Sequence, residues 1–378
     1  MRFQHLHRDE RGMSLVAVGF GFMGLLAATT LSVDVGTLMT ARSQAQNSAD
    51  AGALAGAVAL SYNDYANRAS SGPAVQSSVN AARANLIVGE APSVDPGDVA
   101  FLPDTTGQPN RVQVTVYRSG SRNNAVRMVM GGFFGIPTAN ITATATAEAT
   151  PANAATCVAP FAIADKWIEK QTGGWDPNDS FNAFPGGSQT GDIYRAATST
   201  TGTGYNATTD RGVKLVLKPA APGAPGAGSY WATEGSGSTA ADYIADIANC
   251  NPDVKDFGET LNALGGNLTA AMKQGMEDLI AKDPSAYWDT AANKVVSSMN
   301  PSPRIKVVPV YDPLYWNQGK QAGHAADLKA ANYIGFFIES VAANGDVTGR
   351  ITPAPGVIDS SSGPSPVGAF GRVVRLVQ

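Results

Sequence analysis

The sequence predicts an α+β protein. It reads as a single membrane-crossing helix continuing into an alanine-rich helix, then a small α+β module, then a mixed, mostly antiparallel β-rich domain. Three observations carry this. Residues 13–33 are uncharged and apolar, an alanine-rich stretch free of proline follows to about Leu60, and composition changes at Pro151, after which all five tryptophans fall. The expected organisation is a tail over 1–12, a span over 13–33, a stem helix and module over 34–150, and a β-rich domain over 151–378.

The run Met13–Val33 has 21 residues. At 1.5 Å per residue, about 20 helical residues cross the ~30 Å hydrocarbon core of a bilayer. Arg2, Arg8 and Arg11 precede the run, diluted by Asp9 and Glu10; Asp34 follows it, and the next base is Arg42. The positive-inside bias puts the N-terminus in the cytoplasm and the chain after residue 34 outside it. A cleaved signal peptide is the rival, but its apolar core is usually shorter and its exit site resembles A-x-A. The stretch "LAATTLS" matches that site imperfectly, so length and flanks favour a retained anchor. The run also satisfies G-x-G-x-x-G at Gly19–Gly24. A dinucleotide site needs a preceding strand and a helix opening after the glycines, and a membrane span provides neither. These glycines suit close approach of another helix.

From Gly36 to about Leu60 alanine, the strongest helix former, dominates. Leu38, Ala41, Ala45, Ser48, Gly52, Ala55 and Ala59 recur at alternating spacings of three and four, which sets one narrow face against a partner helix. Small residues bury little area each, so such a contact must be close and long. The same register run backwards collects Asp34, Leu31, Ala27, Gly24 and Phe20. A carboxylate near a bilayer is costly unless hydrated or paired. Asp34 is therefore either a solvated acid ending the span or a contact to a basic group on another subunit.

Beyond the stem, "PAVQSSVNAARANLIV" predicts a second helix, and "RVQVTVYRS" alternates as a half-buried strand does. "NNAVRMVMGGFFGI" predicts a helix with Val126, Val129, Met130, Phe133 and Phe134 on one face, and the threonine-rich "NITATATAEAT" a further strand. In the second domain strands are predicted at "GVKLVLKP", "RIKVVPVYD", "NYIGFFIESVA" and "FGRVVRLVQ". "LTAAMKQGMEDLIAKDP" predicts an amphipathic helix ended by Asp283-Pro284. Residues 219–229 and 352–368 read as flexible loops.

Composition narrows the chemistry. With 27 basic and 31 acidic residues the net charge is −4, which gives no general field for nucleic acid. Cys157 and Cys250 are the only cysteines. In an oxidising compartment they form one disulfide closing a loop of roughly 90 residues; the alternative is two buried thiols. No C-x-x-C or nearby histidine suggests a metal. Of three histidines, His5 and His7 lie in the N-terminal tail, and His324 sits in a polar segment with no G-x-S-x-G elbow elsewhere, so a Ser-His-Asp site is not expected. Asp176, Asp179 and Asp192 near Trp175 resemble turn formers more than a calcium loop. The four N-x-S/T sequons carry no weight of their own.

"DERGMSLVAVGFGFMGLLAATTLSVDVG", followed by "ARSQAQNSADAGALAGA", closely resembles the N-terminus of Tad (tight adherence, Flp-type pilus) assembly proteins of the TadG-like or TadE/G-like group. The resemblance covers about residues 9–60 and rests on the charged DERG, the apolar span ending in VDVG, the nearby arginine and the alanine-rich SADAGALAGA. It implies a single-pass bacterial inner-membrane protein with a periplasmic or surface-exposed C-terminal domain. Its partners would be the membrane and other Tad/Flp subunits, without cofactor, catalysis or small-molecule substrate. The module would be broadly pilin-like. Pilin-like relatives carry a glutamate five residues after the cleavage glycine; from Gly12 that position is Ala17, which argues against processing. "CVAPFAIADKWIE", "DLIAKDPSAYWDT" and "RIKVVPVYDP" are also similar to TadG-type segments. Some relatives carry a metal-binding D-x-S-x-S; here "DSSSG" at 359–363 ends in glycine and lies in a Pro/Ser-rich loop. A membrane-tethered periplasmic hydrolase and a secreted adhesin with a cleaved N-terminus are the alternative functions.

Overall fold

The computed structural model describes residues 11–377 apart from 63–66, 105–106, 189, 199–200, 208, 221–223, 300, 325, 364 and 367. The expected N-terminal tail, with His5 and His7, thus lies almost wholly outside the described residues. The chain divides into two compact units: Met1–Leu60 with Asn67–Glu148 and Arg375–Gln378, and Ser61–Ala66 with Ala149–Val374.

In the first unit α1 (Arg11–Tyr62) is one continuous helix of 52 residues. It contains a stretch long and apolar enough to cross a membrane. A short helix, α2 (Pro73–Ala84), starts with proline, whose missing N–H costs nothing at a helix start, and buries Ala74, Val75, Ser78, Val79 and Ala82. Strands β1 (Val99–Leu102), β2 (Arg111–Arg118) and β5 (Ile141–Pro151) form an antiparallel sheet, joined at the β5 edge by the chain's last strand. In β2 Val112, Val114 and Val116 are buried while their neighbours are partly exposed, the alternation expected of a half-buried strand.

The helix expected over 123–136 is not formed. Its place is taken by a hairpin of β3 (Val126–Arg127) and β4 (Thr138–Ala139), with a 3-10 turn at Gly131–Phe134 between them. Three glycines and Pro137 overrule the apolar spacing, and Gly135 takes φ +79°, a left-handed conformation closed to most side chains. Val129, expected on the buried face, is exposed; the Phe133 and Phe134 side chains are outside the described set.

The second unit runs β6 (Ala154–Ala155), β7 (Phe161–Ala164), β8 (Lys214–Pro219), β9 (Ser229–Ala232), α3 (Ala240–Ala248), β10 (Lys255–Asp256) and β11 (Thr260–Leu261). It continues with α4 (Thr269–Lys282), β12 (Tyr287–Asp289), β13 (Lys294–Val296), β14 (Ile305–Tyr311), α5 (Pro313–Gln321), β15 (Leu328–Val341) and β16 (Val347–Thr352); β17 (Arg372–Val377) begins in this unit and ends in the first. Six strands close into a barrel in the order β15-β14-β7-β9-β8-β16, with β16 pairing back to β15. Two pairs are parallel, β14 with β7 and β8 with β9; the other four are antiparallel. The mixed α+β class matches the sequence expectation. Closure is new, and so is the fate of β17, which the sequence assigns to the second domain but which ends in the first unit's sheet.

Closing the sheet buries both its faces locally, which is why β14 and the middle of β15 read as continuous apolar runs. Tyr243 and Ile247 of α3 and Met272, Met276 and Leu279 of α4 join Ile334, Phe336 and Ile338 in one core. Cys157 and Cys250 form a disulfide across 93 residues, tying the approach to β7 to the end of α3. In the chain-entropy model a loop of that length stabilises by about 4–5 kcal/mol. Buried Lys306 donates to the Asn249 and Asp246 carbonyls, so an ammonium meets the negative end of α3. Burial nevertheless lowers its pKa to about 8.

Candidate functional site

α1 changes surroundings along its length. From Ser14 to Val33 every side chain whose burial is described is exposed, Phe20, Gly24, Ala27 and Leu31 among them. A Cβ added at Gly19, Gly21 or Gly24 would have nothing within 4 Å. From Ala41 onward the helix is packed: Ala41, Ala45, Ser48, Ala49, Gly52, Ala53, Gly56, Ala57 and Ala59 are buried.

The seam from Ala41 to Ala59 faces its own chain. A Cβ on Gly52 would sit 3.1 Å from both the Ala82 Cβ and the Ser78 carbonyl and 3.2 Å from a Val114 methyl. One on Gly56 would come within 2.1 Å of the Ser78 hydroxyl and 2.8 Å of a Val112 methyl. Ser48 Oγ donates to the Ala82 carbonyl at 2.9 Å, and the Gln44 amide oxygen accepts from Val88 N at 2.7 Å. The helix that the small residues admit is therefore α2, with β2 beside it. Leu38 and Ala55 are only partly buried, because the packed face follows the 3.6-residue period rather than 3.5. Ala49, Ala53, Gly56 and Ala57, which the alternating spacing missed, belong to it. The overlooked signal is an alanine at every fourth position from Ala41 to Ala57.

Asp34 is the junction of the two halves. It is 5 % exposed, between exposed Val33 and Val35. Its carboxylate accepts from Val129 N at 2.9 Å and from Met130 N at 3.2 and 3.3 Å. It is thus no solvated end-marker but a clasp, accepting from backbone donors, on the turn after β3. Charged acceptors on backbone N–H groups make strong hydrogen bonds. The turn must be tight there: a Cβ on Gly131 would lie 2.5 Å from the Ile136 carbonyl and 3.4 Å from Asp34 Oδ2.

The acids of the second unit brace loops. Asp176 and Asp179 cap each other's turn, through Asp176 N on Asp179 and Asn178 N on Asp176, at 2.6 Å each. Asp192 accepts from Lys170 N and Asn182 N. Asp165, which sequence reasoning missed, is fully buried and accepts from Lys166 N and Tyr205 N at 2.9 Å and from the Tyr194 hydroxyl at 3.0 Å. Burial pushes its pKa up to about 6, against those three donors. It lines neither of two clefts in this unit, of about 110 and 350 Å³. His324 Nδ1 lies 2.6 Å from Asp327 on the surface. Asp359 of the "DSSSG" loop accepts from Ser361, and its own N–H binds Asn153. Among the described residues no group of three or more His, Cys, Asp or Glu is gathered to hold a metal.

Residues 12–59 match the family model Tad, a TadE/G-like Flp pilus-assembly domain. The match covers the apolar half of α1, Asp34 and the packed half down to Ala59. No curated protein and no solved structure matches the chain.

Proposed function

We propose that this protein is a membrane-anchored component of a Flp/Tad pilus-assembly system that works by binding other proteins rather than by catalysis. The family match at residues 12–59 carries the proposal, because it falls on an apolar helix half that the chain leaves uncovered. In this reading residues 13–33 stay in the inner membrane, the N-terminus faces the cytoplasm, and everything after Asp34 lies outside. The disulfide agrees with an oxidising compartment. Partner contacts then fall on the exposed seam of Phe20, Gly24, Ala27 and Leu31, since the lower seam is filled by α2 and β2. Membrane association would come from burial of the span.

The test is co-purification of the full-length protein from membranes of cells that make the pilus. Native protein should bring down Tad subunits, and Gly24→Leu should weaken that recovery without changing its own level. Recovery in the soluble fraction, or a mature protein lacking residues up to about Thr29 by intact mass, would refute the anchor and favour a secreted product.

A further inference from the structure

We infer that the turn from Met128 to Pro137 is a second membrane contact, resting on the outer leaflet of the bilayer that α1 crosses. The inference depends on α1 being a span and adds a surface to it. The sequence of the turn, "MVMGGFFGIP", has no charged or hydrogen-bonding side chain in ten residues. Val129 is 62 % exposed and Ile136 60 % exposed, so the turn turns apolar groups outward. Exposed contiguous apolar surface of this kind marks a contact.

Its location names the occupant. Asp34 is the first residue after the apolar run and clasps the turn by Val129 N and Met130 N. One helical residue advances about 1.5 Å, so the clasp point sits at the edge of the hydrocarbon defined by Val33. The turn is closed by its own backbone: Met128 N donates to the Pro137 carbonyl at 3.0 Å and Ile136 N to the Gly131 carbonyl at 2.9 Å. Exposed Arg127 at its base offers a cation to anionic headgroups. Exposed Val35 and Met39 continue apolar surface on α1 past Asp34. Irregular backbone does not enter the hydrocarbon core, so the turn lies at interfacial depth with its apolar side chains inserted.

The experiment uses the full-length protein in vesicles of equal parts phosphatidylcholine and phosphatidylglycerol, brominated either near the headgroup or near the chain ends. Ile136→Trp and Val129→Trp report the turn, Met23→Trp reports the span, and the wild-type signal of the native tryptophans is subtracted. Both positions in the turn are exposed, so tryptophan fits without repacking. The expected result is loss of most added emission from Ile136→Trp and Val129→Trp with shallow bromine and little with deep bromine. Met23→Trp should lose its emission with deep bromine. If Met23→Trp is quenched and neither turn variant is, the span stands and the membrane contact is overturned, leaving the turn to a protein partner. If no variant is quenched, the span itself fails and the inference with it.

Discussion

Residues 14–33 and 41–60 of α1 are both rich in alanine, glycine and aliphatic side chains, yet the chain leaves the first stretch bare and buries one face of the second. The difference lies in side-chain size. The upper half carries Leu15, Phe20, Phe22, Met23, Leu25 and Leu26, which gain by covering large area with an apolar solvent. The lower half repeats alanine every fourth residue and adds Gly52 and Gly56, which gain by letting another backbone come near. One continuous helix thus has a bare half and a packed half within the chain, and Asp34 stands where they meet.

That contrast can be broken most forcefully by placing the same substitution in both halves. Gly56→Val drives a side chain into Ser78 and Val112 and should cost about 3 kcal/mol, read as a lower Tm by circular dichroism. Gly24→Val, with open space around it, should leave Tm unchanged. Equal effects would mean the two halves are not differently surrounded.

A pH series provides a reference outside α1, because all five tryptophans lie in the second unit and their fluorescence follows its unfolding. Asp165 has its folded pKa raised by burial from 3.8 to about 6. Folding therefore favours its protonated form, so this contribution is full below about pH 4 and is lost as pH rises through 6. The loss should approach about 3 kcal/mol by neutral pH and disappear in Asp165→Asn. Denaturant midpoints between pH 4 and 7 check this, and a flat profile contradicts it.

At the junction, Asp34→Leu leaves two backbone donors unpaired and should cost about 2 kcal/mol, with faster hydrogen exchange at Val129 and Met130. Unchanged exchange there would remove the clasp. The smallest effect is expected from Ser48→Ala. The Ala82 carbonyl keeps its bond from Asn85 N, so the loss should stay near 0.5–1 kcal/mol by thermal unfolding.

The stem helix was largely readable from sequence because local signals decide it: length without charge for its apolar half, alanine without proline for the rest. The occupant of its lower face was not, since α2 and β2 come from residues well beyond Gly56. Asp34 was legible as an exception but not as a clasp, because its partners are backbone N–H groups 95 and 96 residues away. The turn at 128–137 was misread because Val126, Val129 and Met130 mimic a helical face, while the glycines among them decide the backbone. In the second unit β14 and β15 announce themselves by long apolar runs. β7, β9 and β16 are short, and barrel closure depends on pairings such as Gly349 with Leu215 that no local pattern encodes. Asp165 gave no signal at all, since the groups that bury it converge only in the fold.

The central claim, one helix in two solvents, is tested most directly by labelling single added cysteines with a membrane-impermeant maleimide in cells stripped of their outer membrane. Leu25→Cys should stay unlabelled until detergent dissolves the membrane, whereas Val58→Cys, exposed on the lower half, should label at once. Immediate labelling of Leu25→Cys would contradict the account, because that half of α1 would then be in water.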